Sequence, residues 1–262
     1  MADSQLSALA ISVADLRKRY GDTQAVDGVS FEVARGEVFG MLGPNGAGKT
    51  TTVHLLATLL RPSRGTAAVA GHDVVRDSLA VRRSIGLVFQ ETTLDRDLSV
   101  EENLRFAARL WNVPAPRARA RIGALLEQFG LADRRRDPVR TLSGGMRRAL
   151  DLARGILHEP RILFLDEPTA GLDPRARRAL WDLVRALRAA SGLTVFLTTH
   201  YVEEAEPCDR VAVLDRGRLA ALGSPAELKR AAGAASLEDV FLGCTGHPLA
   251  EPGADGPAGE AG

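Results

Sequence analysis

Gly43, Pro44, Asn45, Gly46, Ala47, Gly48, Lys49 and Thr50 follow the pattern G-x-x-x-x-G-K-[ST], whose types and spacing suit a polyphosphate. The glycines permit a tight loop whose backbone N–H groups turn inward onto phosphate oxygens. A helix opening behind the loop adds its positive N-terminal end. Lys49 supplies a point charge for β- and γ-phosphates, and Thr50 a hydroxyl for Mg²⁺. A glycine-rich turn that binds nothing is the plain alternative. The apolar strand before the loop and the helical pattern after it favour phosphate. Lysine is scarce in the chain, at Lys18, Lys49 and Lys229 only, which makes the place of Lys49 more telling.

A pair of acids comes next. Asp166 and Glu167 follow the apolar run 162–165. Four apolar residues predict a strand in the sheet centre, and its carboxyl end is where open α/β sheets bind ligands. There Asp166 would enter a Mg²⁺ shell and Glu167 would polarise an attacking water as general base. A solvated acidic turn before Pro168 would leave the phosphate loop without a metal partner. A third group, Leu142, Ser143, Gly144, Gly145 and Met146, opens a helix. Ser143 can cap it, and two glycines let backbone approach an anion closely. Alone, these five read as an ordinary helix start.

The elements that must hold these groups are visible as patterns. Residues 11–20 and 29–33 alternate apolar and polar side chains as half-buried strands do, and 38–42 reads as a buried strand entering a turn. Residues 48–60 have helical character, and a further strand, 85–89, ends at Gln90. From 99 to about 157 the pattern is helical. Ser99 and Glu102 form a capping box, 117–129 is a second helix, and a third begins at Ser143 with Met146, Leu150, Ala153 and Leu157 on one face. Strands resume at 162–165 and 194–197. Between them Asp173 and Pro174 start a helix with Leu180, Leu183, Val184 and Leu187 on its apolar face. Residues 210–219 read as a hairpin around Asp215, Arg216 and Gly217. Strand–helix alternation on both sides of a helical block predicts a parallel sheet with an inserted helical subdomain.

Bulk properties bound the rest. The chain has 262 residues, 45% apolar and 26% charged, ordinary for a globular protein able to bury a core without disulfides or metals. A net charge of +1 gives no global field for nucleic acid or an acidic membrane. Cys208 and Cys244 form no CxxC pair and read as free thiols. The first residues lack a signal-peptide pattern, and no apolar run approaches the roughly 18–20 residues that span a bilayer. These features imply a cytoplasmic chain whose membrane role needs a partner.

In this order, the motifs resemble the nucleotide-binding domain of ABC transporters over residues 6–243. The resemblance implies a P-loop NTPase core: a mostly parallel sheet flanked by helices, with an antiparallel N-terminal β subdomain. It implies that Tyr20 stacks on adenine, that residues 43–50, Thr51 and Gln90 bind ATP, and that Thr50, Gln90 and Asp166 hold Mg²⁺. It makes Glu167 and His200 catalytic and has Gln90 sense the membrane partner. It places Asp173 on a loop, 170–173, at a dimer interface. Singly, Tyr20 reads as a strand-end aromatic, Asp173 as a helix cap and His200 as a histidine closing a strand. In the family two copies pack head to tail when ATP is bound, and each ATP lies between one phosphate loop and the other copy's residues 142–146.

The implied organisation is a core of 6–90 and 159–230, a helical subdomain of 91–158, a short extension of 231–246 and a disordered tail of 247–262. Met146 departs from the glutamine common at its position, which weakens an importer reading. Residues 94–104, 142–153 and 237–246 resemble the daunorubicin-resistance branch, in which a separate permease exports a drug-like or lipid-like substrate from the cytoplasmic face. An importer ATPase subunit and a non-transport ABC ATPase are the alternatives. Repair and chromosome ATPases carry a long heptad insertion, and ribosome factors normally carry two motif sets; neither is present.

Overall fold

A computed structural model describes residues 9–249. The expectation for the tail therefore lies outside the described residues from 250 onward. Two long antiparallel strands come first, β1 (Leu9–Tyr20) and β2 (Thr23–Ala34). Strand β3 (Val38–Leu42) leads through the phosphate loop into helix α1 (Lys49–Leu56). Strands β4 (Arg64–Val69) and β5 (His72–Asp73) and helix α2 (Ser78–Ser84) precede β6 (Ile85–Val88). The sequence patterns above contain none of β4, β5 and α2. Strand β4 is short and opens with exposed Arg64, Gly65 and Thr66, so its alternation is weak.

The block between β6 and β7 is helical, as expected. It holds α3 (Val100–Leu110), α4 (Ala115–Gln128), two short 3₁₀ turns and α5 (Gly144–Gly155). The capping box at Ser99 and Glu102 is present in full. Helix α5 is buried almost all round from Arg148 to Ala153, wider than the single face read from its apolar residues. Then follow β7 (Ile162–Asp166), α6 (Pro174–Ser191), β8 (Thr194–Thr199), α7 (Val202–Ala205), β9 (Arg210–Asp215) and β10 (Arg218–Gly223). Helices α8 (Pro225–Ala232) and α9 (Leu237–Thr245) end the described chain, each opened by a serine capping box.

The strands form two sheets. The first is antiparallel, in the order β2-β1-β4-β5; the second runs β10-β9-β3-β8-β7-β6 and is parallel except for β10. Strand β7 is interior but only one place from the β6 edge, not at the sheet centre. Its uninterrupted apolar run reflects cover on both faces, which parallel strands share wherever helices or a second sheet lie on each side. Leu163 and Leu165 face the core shared with the helical block. Ile162 and Phe164 face the core under the antiparallel sheet. Between the sheets the rings of Phe31, Phe39 and Phe196 pack in series, with centroids 5.2 and 5.4 Å apart. Aromatic packing of this kind fixes one sheet against the other.

Candidate active site

The phosphate loop is shaped by close backbone approach. A Cβ on Gly43 would lie 2.3 Å from the Leu214 carbonyl oxygen, and one on Gly48 2.3 Å from that of Ala25. Gly48 also has φ of +101°, a conformation that only glycine adopts freely. Helix α1 begins at the next residue, so its free N–H groups face the loop. Ala25, Asn45, Gly46, Gly48, Lys49, Thr50, Thr51, Gln90 and Glu167 line a cleft of about 330 Å³ here. A larger hollow of about 530 Å³ lies where Ile162 and Thr194 begin β7 and β8, at the opposite strand ends, and none of the expected chemical groups lines it. Of the residues expected to do chemistry, Lys49, Thr50, Gln90 and Glu167 line the smaller cleft, at the carboxyl ends of the strands, where open α/β sheets bind ligands.

Lys49 and Glu167 form the centre. Lys49 Nζ donates to the carbonyls of Gly43 and Pro44, at 2.8 and 3.1 Å, and pairs with Glu167 Oε1 at 3.2 Å. Burial lowers the lysine's pKa, and the nearby Glu167 opposes that shift. Burial also pushes the Glu167 carboxyl up. His200 and Lys49 outweigh it, so the group lies below its ordinary value. Glu167 is therefore ionised at neutral pH, the form that can accept a proton. His200 Nδ1 stands 3.2 Å from the other Glu167 oxygen. Glu167 has φ of +44°, which is costly for a residue with a side chain. Its N–H donates to the carbonyl and hydroxyl of Thr198, at 3.2 and 3.1 Å.

Asp166 accepts from the Thr50 hydroxyl at 3.2 Å and from the Thr198 hydroxyl. Mg²⁺ prefers oxygen ligands, typically one or two carboxylates with substrate phosphates and waters. Thr50, Asp166 and the nearby Gln90 fit that preference. The described residues contain no group of three His, Cys, Asp or Glu able to hold a metal without help from the substrate.

Other expected residues stand apart. Tyr20 is exposed at the β1 end, with Lys18 Nζ 5.1 Å from its ring centroid. It is not in the cleft wall, although Ala25 of the same hairpin is. Residues 142–146 do not line the cleft either. The Ser143 hydroxyl accepts from the Met146 N–H at 3.2 Å, and a Cβ on Gly145 would meet Ala176 at 3.1 Å. Asp173 caps α6, accepting from the N–H groups of Arg175 and Ala176, both at 2.9 Å. Three residues that the sequence patterns did not single out lie close behind the cleft: Thr198 bonds Asp166 and Glu167, Arg148 bonds the carbonyls of both, and the Glu204 carboxyl interacts electrostatically with Glu167. Thr198 lies one residue before the end of β8, opposite Asp166 in the parallel β7–β8 ladder. Arg148 and Glu204 are charged residues on buried helix faces, a signal that appears only once the faces are known.

Known proteins of one family resemble this chain in sequence and fold. The family described as ABC transporter matches residues 26–170. The chain is 54% identical over 233 residues to the daunorubicin resistance ATP-binding protein DrrA3 of Streptomyces coeruleorubidus, covering 88% of this chain and 73% of that protein. It is 48% identical over 219 residues to the Nod factor export ATP-binding protein I of Ralstonia nicotianae, covering 83% and 68%. Among solved structures, an ATP-binding subunit of an ABC transporter superposes with a TM-score of 0.80 at 31% identity, over 89% of this chain and 98% of that one. CbiO1 of Clostridium perfringens, part of the transporter complex cbiONQ, gives 0.79 at 31%, over 85% and 91%. The chain belongs to the ABC transporter family, as an ATP-binding subunit with a P-loop NTPase fold, and is an ATPase. Within that family it falls in the daunorubicin- and doxorubicin-resistance branch.

Proposed function

We propose that this ATPase energises export of a drug-like or lipid-like molecule through a separate membrane permease, working as an ATP-bound homodimer on the cytoplasmic face. The observation that carries the catalytic part is the convergence of Lys49, Thr50, Asp166 and Glu167 at the carboxyl ends of two parallel strands. In this reading Lys49 and the loop N–H groups hold the β- and γ-phosphates, and Thr50, Asp166 and Gln90 hold Mg²⁺. The ion would neutralise charge on the transferring phosphoryl group. Glu167 orients water and takes its proton, and His200 keeps the Glu167 carboxylate in place. Tyr20 stacks on the base.

Residues 142–146 and Asp173 lie outside the cleft of their own chain, which suits a role on a partner's ATP. The expected division into a core of 6–90 and 159–230 and a helical subdomain of 91–158 is part of the same reading. The export direction comes from the printed names of the relatives, which describe drug resistance and Nod factor export. No described helix is long and apolar enough to cross a membrane, and in this reading a separate permease provides the passage. An apolar groove of about 260 Å³ between the core and the helical block, with exposed Leu59, Phe106, Leu110 and Trp111, offers such a chain a seat.

Glu167→Gln tests the shared site. The variant loses its base and should hydrolyse ATP about 10²–10⁴-fold more slowly. ATP binding should survive, because Lys49, Thr50 and Asp166 are untouched. The variant should run as a monomer without nucleotide and as a dimer with Mg-ATP in light scattering, with or without the permease. Adding Ser143→Arg should abolish the dimer. A variant that binds Mg-ATP yet stays monomeric in both settings contradicts the shared site.

A further inference from the structure

Arg148 lies on α5, one turn beyond Ser143, and is 6% exposed. Among the described residues its hydrogen bonds all go to backbone carbonyls, with the carboxyl groups of Asp151, Asp166 and Glu204 near enough to act on its charge. Nε donates to Pro168 O at 2.6 Å, and Nη1 to Phe89 O and, at 3.4 Å, to Gln90 O. Nη2 donates to Asp166 O at 3.4 Å and to Glu167 O at 3.3 Å. A guanidinium carries five N–H donors in a rigid fork, so its donors are matched to carbonyls from two chain segments. One segment leaves β6 at Gln90. The other leaves β7 at Asp166 and Glu167.

Glu167 needs such support. Its positive φ is a strained conformation for a residue with a Cβ, and such strain persists only where the surroundings over-determine it. Thr198 holds the N–H side of Glu167, and Arg148 holds the carbonyl side, together with the carbonyls before and after it. The helix that carries this arginine also opens at Ser143.

We propose that Arg148 is a positioning residue for ATP hydrolysis, clamping the carbonyls of Phe89–Gln90 and Asp166–Pro168 so that the orientation of Glu167 depends on where α5 sits. A shift of the helical block then moves the base and Gln90 together. Arg148 does not line the cleft. It acts through Glu167, so the inference rests on the reading of Glu167 as base.

The test uses the full chain with Arg148→Lys and Arg148→Gln. A lysine ammonium is compact and cannot span two chain segments as the planar fork does. Both variants are expected to bind a fluorescent ATP analogue with Kd within about twofold of wild type, because Lys49 and the loop are untouched. Their kcat is expected to fall about tenfold or more at little change in KM. In Arg148→Ala, millimolar methylguanidinium should restore part of kcat without changing Kd. A residue acting through Glu167 is non-additive with it, so Arg148→Lys should cost little further rate in the Glu167→Gln background.

Wild-type kcat in Arg148→Lys and Arg148→Gln overturns the proposal. So does a loss that adds in full to that of Glu167→Gln, or failure of both conservative variants to fold, which would make the role structural. The parent reading fails separately, if Glu167→Gln alone keeps the wild-type rate.

Discussion

Replacing Glu204 by glutamine probes a carboxyl buried beside the site for no visible catalytic purpose. Glu204 lies on α7, is 1% exposed and has no well-formed hydrogen bond to either carboxyl oxygen among the described residues. Burial pushes its pKa from the ordinary 4.5 up to about 7, against the pull of Thr199, Arg177 and His200 and with the push of Glu167. Arg148 also faces it electrostatically. At about 1.4 kcal/mol per pKa unit, that rise corresponds to about 3 kcal/mol. The folded chain binds this proton more tightly than the unfolded chain does. The contribution is therefore fully present below pH 4.5 and is lost as pH rises through about 7. Glutamine stays neutral throughout, so the variant should gain on wild type between pH 5 and pH 8 by most of that amount. At about 2–4 °C per kcal/mol for a chain of this size, the Tm difference between variant and wild type should widen by roughly 5–10 °C over that interval. Thermal melts of both proteins at the two pH values measure it. Groups common to both proteins cancel in this difference. A Tm difference that is the same at pH 5 and pH 8 refutes the reasoning, whatever its sign.

Three further outcomes are expected. Lys49→Ala should nearly abolish ATP binding in titration with a fluorescent analogue, since the remaining lysines, Lys18 and Lys229, lie elsewhere in the sequence; unchanged affinity removes Lys49 from its role. Tyr20→Ala should raise KM for ATP by the equivalent of about 1–3 kcal/mol of stacking while Tyr20→Phe changes little; a fall in kcat at saturating ATP with KM unchanged contradicts stacking. Gln90→Ala should blunt stimulation of the ATPase by the permease, because Gln90 stands between β6 and the helical block and its carbonyl is held by Arg148. Full stimulation in that variant dismisses the coupling role.

The elements that carry the chemistry were the most legible in the sequence. Strand β3 matches its apolar run residue for residue, because a strand covered on both faces has no polar position to blur its ends. The helix starts at Ser99 and Asp173 were legible for a different reason: a cap is a local contact, complete within three or four residues. The same signal marks Ser224 with Glu227 and Ser236 with Asp239, so α8 and α9 were within reach of the same reasoning. Strands β4 and β5 were not. Their pairing with β1 and with each other is a long-range and short-edge affair that leaves little pattern in the residues themselves.

By itself, the sequence determined which groups could do chemistry: a lysine and a threonine after a glycine-rich loop, two acids after an apolar strand, and a capped helix start with two glycines. Those are properties of residue type and short spacing, which survive without knowledge of the fold. Tertiary structure decided which of them meet. Lys49 and Glu167 are 118 positions apart in the chain but 3.2 Å apart in space. Parallel pairing of β7 with β8, and of β8 with β3, brings their carboxyl ends to one edge. Only the fold could separate Asp173 and residues 142–146 from the cleft. Only the fold could show that Arg148, one arginine among many in the sequence, is the one whose donors face the carbonyls around Glu167. Burial and long-range pairing are properties of the assembled core, and the solvation cost that makes a charged side chain informative exists only once that core has closed around it.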